Sequence, residues 1–245
     1  MPAVNIGRAA AAITLSGGRL IADLAELDVE GGSGTAHVSV DLNEPVPKAV
    51  TKLRLTGVDA GRVLAAPLNR NPLLGRTNVT FEGAARGQSL PEAIASLSGK
   101  GQFELVEPGR LGLDLPALIN AARESAVVGW AAAGSGGTAL ESLAGRFRLL
   151  NGAITIEAMQ GRSGSYVVVG SGRLDVPGRL MDMSIATGPI AATEAPVTVK
   201  EVLSLRGTWA DPAIRLVRGQ DEAAAAAGAA LYFAPAARPV AVPGR

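Results

Sequence analysis

Gly145 to Val176 reads GRFRLLNGAITIEAMQGRSGSYVVVGSGRLDV, a run that alternates apolar and polar side chains and breaks only at glycine-containing turns. Alternation at period two marks a strand with one wet and one dry face. Phe147 and Leu149 take one phase, Arg146 and Arg148 the other. Asn151-Gly152 then separates Leu149-Leu150 from Ala153-Ile154-Thr155-Ile156. Such a pair between alternating runs signals a hairpin, because both residues tolerate positive φ. Gly161 to Gly164 leads to Tyr166-Val167-Val168-Val169, Gly170-Ser171-Gly172 to Arg173-Leu174-Asp175-Val176, and Pro177-Gly178 to a strand over 180–185. The segment predicts a β meander.

The same phase pattern extends outward. Leu53 and Leu55 alternate with Lys52 and Arg54; Val38, Val40 and Leu42 with His37, Ser39 and Asp41; Phe103 and Leu105 with Gln102 and Glu104. Near the C-terminal end, Leu203 to Trp209 and Ala213 to Leu216 predict a hairpin cornered at Asp211-Pro212, with Trp209 covering the end of the sheet. Helical patterns are few. Ser89-Leu90-Pro91-Glu92 opens one that runs to Leu97, and Asp114-Leu115-Pro116 opens a second that runs to Ser125, each with a capping side chain and an early proline. A third is expected from Asp59 to Ala65, and Ala131 to Gly137 reads as a loop or linker. Gly17-Gly18-Arg19-Leu20, Gly31-Gly32 and the alternating run over 38–42 echo the order strand, turn, strand, glycine turn, strand seen from Leu150 onward; any meander also repeats itself loosely. The fold class expected is mainly β: a curved antiparallel β meander, either an open groove or a partly closed barrel, with a few short helices. Residues 1–217 form the β-rich domain, with a sub-division near 126–138 left open. Residues 218–234 are expected to be an alanine-rich terminal helix and 235–245 a disordered tail.

Composition narrows the function. The 245 residues are 47% hydrophobic but only 3% aromatic, so buried volume comes from aliphatic side chains. Glycine, at 31 residues, exceeds ordinary usage of about 7% and follows no triplet period, as turns and bulges require. A net charge of +1 offers no basic field for a phosphate backbone, so nucleic acid is not expected as a partner. Absence of cysteine excludes disulfides and zinc-thiolate sites. No stretch approaches the ~20 apolar residues of a spanning helix, and no signal or anchor is visible in this chain.

Catalytic parts are scarce. His37 lies on the polar phase of its strand, and the serine-glycine clusters fit turns better than a nucleophile elbow or a phosphate loop. Carboxylates are scattered, and the aromatic platforms that sugar-cleaving sites use are few. The expectation is a non-enzymatic protein with no catalytic residue, no metal and no cofactor. Asn78-Val79-Thr80 fits the glycosylation acceptor pattern, a tripeptide that also arises by chance.

Leu97-Ser98-Gly99-Lys100-Gly101-Gln102-Phe103-Glu104-Leu105, with Gly109 to Leu115 after it, resembles a segment of the AsmA C-terminal region. Phe147 with Asn151-Gly152, then Gly170, Gly172, Leu174 and Asp175, resemble the next elements of that family, and Gly207-Thr208-Trp209-Ala210-Asp211-Pro212 resembles its closing motif. With Gly18-Arg19-Leu20, Gly31-Gly32 and Leu55 to Asp59, the likeness covers roughly residues 7–217. The resemblance, which extends to relatives of the TamB and YhdP types, implies a protein on the periplasmic side of the bacterial inner membrane. It further implies a contribution to phospholipid transport and outer-membrane assembly, and it brings no catalytic residues. The chain departs from the pattern in lacking the family's N-terminal membrane helix, as a fragment of a longer membrane-anchored protein would.

Two mechanisms fit these residues. In the first, the apolar phase lines a groove for phospholipid or another acyl lipid, with Phe103, Leu105, Phe147, Leu149, Ile154, Ile156, Tyr166 and Val168 as lining residues. In the second, the helices near 89–97 and 115–125 cover that face as a dry core, and the protein is a structural scaffold that binds other envelope proteins.

Overall fold

Chain order and sheet order coincide along a twelve-stranded antiparallel sheet, as short turns between alternating runs dictate. The computed structural model describes residues 6–59, 61–62, 72–134, 136–175, 178–189 and 201–217. The first half of the chain supplies β1 (Ile6–Ser16), β2 (Arg19–Val29), β3 (Gly32–Asp41), β4 (Lys48–Asp59), β5 (Leu73–Leu74), β6 (Arg76–Arg86) and β7 (Ser98–Leu105). After β8 (Gly109–Leu111) and β9 (Thr138–Leu140) come β10 (Ser142–Leu150), β11 (Ala153–Ser163), β12 (Tyr166–Asp175), β13 (Leu180–Pro189), β14 (Glu201–Thr208) and β15 (Pro212–Val217). The large sheet contains all of these but β5, β8 and β9, which pair as a separate three-stranded sheet. It does not close into a barrel: among the described residues β1 and β15 each pair with one strand, β15 having on its other side only an isolated bridge from Ile214 to Val128, so the open form of the expected meander is the one found.

Two insertions build everything outside the sheet. One separates β4 from β6 and supplies β5; the other separates β7 from β10, which nonetheless pair directly, so the sheet runs unbroken past residues 126–138. The second insertion carries helix α2 (Leu115–Glu124), a 3₁₀ turn at Trp130–Ala133, and strands β8 and β9. A shorter helix, α1 (Leu90–Ser96), joins β6 to β7 at the opposite rim. Both helices begin as the sequence predicts: Ser89 Oγ accepts from the Glu92 N–H, and Asp114 Oδ1 from that of Ala117 at 3.0 Å. Residues 131–133 of the expected linker belong to the 3₁₀ turn instead, because Trp130 is held there by its Nε1–H, which donates to the Trp209 carbonyl at 2.8 Å. Of the helix expected from Asp59 to Ala65 only 59 and 61–62 are described, and the terminal helix and tail lie outside the described residues.

The Asn151-Gly152 turn closes where the sequence places it, whereas Gly170-Ser171-Gly172, read as a break between two runs, lies inside β12, which pairs with β13 in unbroken register. Asn151 (φ 50°) and Gly152 (φ 79°) make a left-handed pair between Leu150 and Ala153. Gly161, read as the start of a turn, is inside β11 instead, and the turn falls at Gly164-Ser165. Register shifts between Leu24 and Leu27, Leu55 and Val58, and Arg146 and Phe147 bend the sheet, as β-bulges do. At the second of these, Asn78 Oδ1 accepts the Gly57 N–H at 3.1 Å, which gives the acceptor-like tripeptide a structural use.

Candidate functional site: an uncharged sheet face

Directly paired residues in an antiparallel sheet point to the same side. Following the register therefore sorts each side chain onto one of two faces. One row runs from Leu24 through Ala36, Leu53, Phe81 and Gly101 to Phe147 and Ile156. A second runs from Leu55 through Val79, Phe103 and Gly145 to Met159 and Gly170. From β1 to β13 this phase carries no charged side chain among the described residues, and its first carboxylate is Glu201, at the start of β14. The other face holds the charges. Asp23, His37, Lys52, Glu82 and Lys100 succeed one another across five strands with mostly alternating sign. His37 Nδ1 contacts Asp23 there, and Arg148 meets Glu157, so the single histidine stands among exposed ion pairs.

Glycines and phenylalanines smooth the apolar face. Phe81 and Phe147 flank Gly101 with ring centroids 6.3 Å apart and planes 2° from parallel, and a Cβ on Gly101 would collide with the Phe147 ring. Phe103 lies over Gly145 in the same way; a Cβ there would sit 2.5 Å from its ring tip. Rings lying over glycines fill the vacancies without standing up from the sheet.

The face is covered over only part of its width. Helix α2 buries Leu115, Leu118, Ile119 and Ala122 against Met183, Ile185, Leu203, Leu205 and Ile214 of β13 to β15, and its Arg123 Nη2 reaches Glu201 at 2.6 Å. The one charge that the described strands place on the face is thus paired by the element that covers it. Thr138 Oγ1 ties the small sheet to the helix by accepting from the Leu115 N–H at 2.9 Å. At the β14–β15 corner Trp209 is buried, as expected, with its Nε1–H donated to the Leu180 carbonyl at 2.7 Å. Helix α1, by contrast, buries none of its residues. On β2 to β4 the side chains of the apolar phase are part-exposed except at Val29 and Val58, which are buried at 7% and 1% exposure near the far strand ends, and on the edge strand β1 they are exposed, reaching 68% at Ile13 and 65% at Leu15.

The eight expected lining residues all fall on this phase, but they divide by cover. Phe147, Leu149 and Ile154 are part-exposed, and Phe103 and Ile156 are part-exposed where they meet the core. Tyr166 is exposed at the far end of β12. Leu105 and Val168 are 7% and 1% exposed inside the core cluster, so they do not line an open surface, a correction forced by the insertion folding over them. The sequence reading missed Leu20, Leu24, Leu27, Leu53, Leu55 and Phe81, which form the uncovered part of the face. Alternation was visible there too; what the sequence did not show is where the cover stops.

Among the described residues no group of three or more metal-ligating side chains comes together, and no helix is long and apolar enough to cross a membrane. No family model matches the chain, and no curated protein or solved structure resembles it significantly.

Proposed function

We propose that this protein is a non-enzymatic envelope protein of the AsmA type whose uncovered sheet face holds the acyl chains of phospholipid, on the periplasmic side of the bacterial inner membrane, in lipid transport and outer-membrane assembly. The observation that carries the reading is the uncharged apolar phase across β1 to β6, left accessible from Leu15 and Leu20 through Val40 and Leu53 to Phe81 and buried at Val29, Val58 and Thr77, opposite a face crowded with ion pairs. An 11-residue strand such as β2 spans roughly 36 Å, more than twice the ~15 Å of one leaflet's hydrocarbon, so an extended chain fits along it. Ten methylenes buried there contribute about 8 kcal/mol, which corresponds to roughly micromolar retention. Among the described residues no charged side chain on this face from β1 to β6 would select one headgroup over another, which suits a carrier of bulk phospholipid.

The test is lipid retained by protein made and purified without detergent. Mass spectrometry is expected to find phospholipid bound to the wild type and little on Leu53→Asp, which places a carboxylate in the middle of the face at a part-exposed position that folding tolerates. A wild type free of lipid that also takes up no fluorescent acyl probe would overturn the proposal. A second reading, a scaffold that binds other envelope proteins, is favoured by the edge of β1, which no strand pairs among the described residues, and by the covered half of the face, which packs as a core. In that case Leu53→Asp leaves partner capture intact and a proline in β1 abolishes it.

A further inference from the structure

The register defines a rim along which strand ends line up: the Gly17-Gly18 turn, residues 42–47, α1, Asn151-Gly152 and residues 178–179. Most of the large apolar side chains that the described residues leave exposed gather on it. Leu15, Leu42, Val46, Leu90, Leu150 and Leu180 come from four strand connections, Leu42 and Val46 sharing one, and from α1, and Leu90 is 74% exposed. Ile94, 59% exposed, stands one helical turn beyond Leu90. These side chains do not share a face. Leu15 belongs to the apolar phase, whereas Leu150 and Leu180 belong to the charged one, being neighbours of Leu149 and Met181. A line of protruding apolar residues that straddles both sides of a sheet suits immersion in a fluid apolar layer rather than contact with a second folded surface, which needs one continuous patch. Charges are balanced there: Arg19 pairs with Asp41, and Lys48 and Arg86 share the rim with Glu44 and Glu92.

We infer that this rim docks onto the surface of a lipid bilayer by inserting these side chains, with no requirement for anionic headgroups. The uncovered face opens at the same rim, since Leu15, Leu20 and Val40 end its rows there. Docking thereby brings the mouth of the proposed trough to the membrane. The docking itself rests on the rim alone; only its link to delivery rests on the trough reading.

The probe is a vesicle of phosphatidylcholine, used in flotation with the full chain at low and high salt. Wild type is expected to float with the vesicles equally at both. Leu90→Ser/Ile94→Ser, on a helix that buries nothing, is expected to bind roughly tenfold more weakly. Val106→Ser/Val127→Ser, exposed residues away from this rim, should bind as wild type does. Failure of the wild type to float, equal loss in both double variants, or binding seen only with anionic vesicles at low salt would each overturn the inference. Self-association abolished by Leu90→Ser/Ile94→Ser without vesicle binding would overturn it in favour of a protein partner. Leu53→Asp separates the two proposals: it should lose bound lipid yet still float.

Discussion

Gly145 shows how single residues shape the apolar face. Its backbone needs no left-handed conformation, so its lack of a side chain serves the Phe103 ring that lies across it. Gly145→Ala is expected to cost about 1–3 kcal/mol in a denaturant titration, because the new methyl forces that ring off its rotamer. Combining it with Phe103→Leu should cost less than the sum of the two single changes, since the obstacle is then gone; strict additivity would mean the glycine answers to the backbone instead. At the rim, Asp41 draws the Asn43 backbone N–H at 3.0 Å and the Arg19 guanidinium at 3.4 Å, which hold its carboxyl below the usual range and pin two turns together. Local chemistry of this kind was partly legible. Asn151-Gly152 reads as a turn from two residues, whereas the pairing of Phe103 with Gly145 depends on a register between strands about forty residues apart.

At the scale of elements, two helices with similar sequence credentials end in opposite circumstances. LPEAIAS and LPALINAARE both start with a cap and a proline, and both carry apolar residues at helical spacing. Their tethers separate them. Helix α1 joins neighbouring strands that pair as far as Ala84 and Ser98, so it has no slack to leave the rim. Helix α2 sits inside an excursion over residues 106–141, long enough to fold back over the face, and β5, β8 and β9 then fasten that excursion to the insertion before β6. Periodicity announces an apolar stripe but not what meets it, which is why the sequence left cover by either helix open. Leu118→Ala is expected to destabilise by about 2–5 kcal/mol, as loss of a fully buried core side chain does, whereas Ile94→Ala should stay within about 0.5 kcal/mol. Thermal or chemical melts of the two variants check this directly, and a comparable loss from Ile94→Ala would mean that α1 packs on the sheet after all.

Across the whole molecule the sheet is continuous while its cover is not, and stability should track the cover. Strands β10 to β14 combine ladder hydrogen bonds with burial beneath the insertion, and Val167, Val169, Ala186 and Val202 are buried on the opposite face as well. Strands β1 to β3 have ladder bonds but little sealed core, and β1 is an edge whose outer backbone groups have no sheet partner among the described residues. Opening free energy depends on buried apolar contact more than on the count of backbone bonds, because water replaces the latter at small net cost. Native-state hydrogen exchange is therefore expected to rise from slow in β11 to β14 to fast in β1 and β2, although the strands are of similar length. If lipid occupies the uncovered face, loading should slow exchange in β2 to β6 selectively, since those strands gain apolar contacts on binding. Uniform slowing across the sheet would instead indicate that the twelve strands open as one unit, and slowing confined to β1 would point to a strand added at its edge.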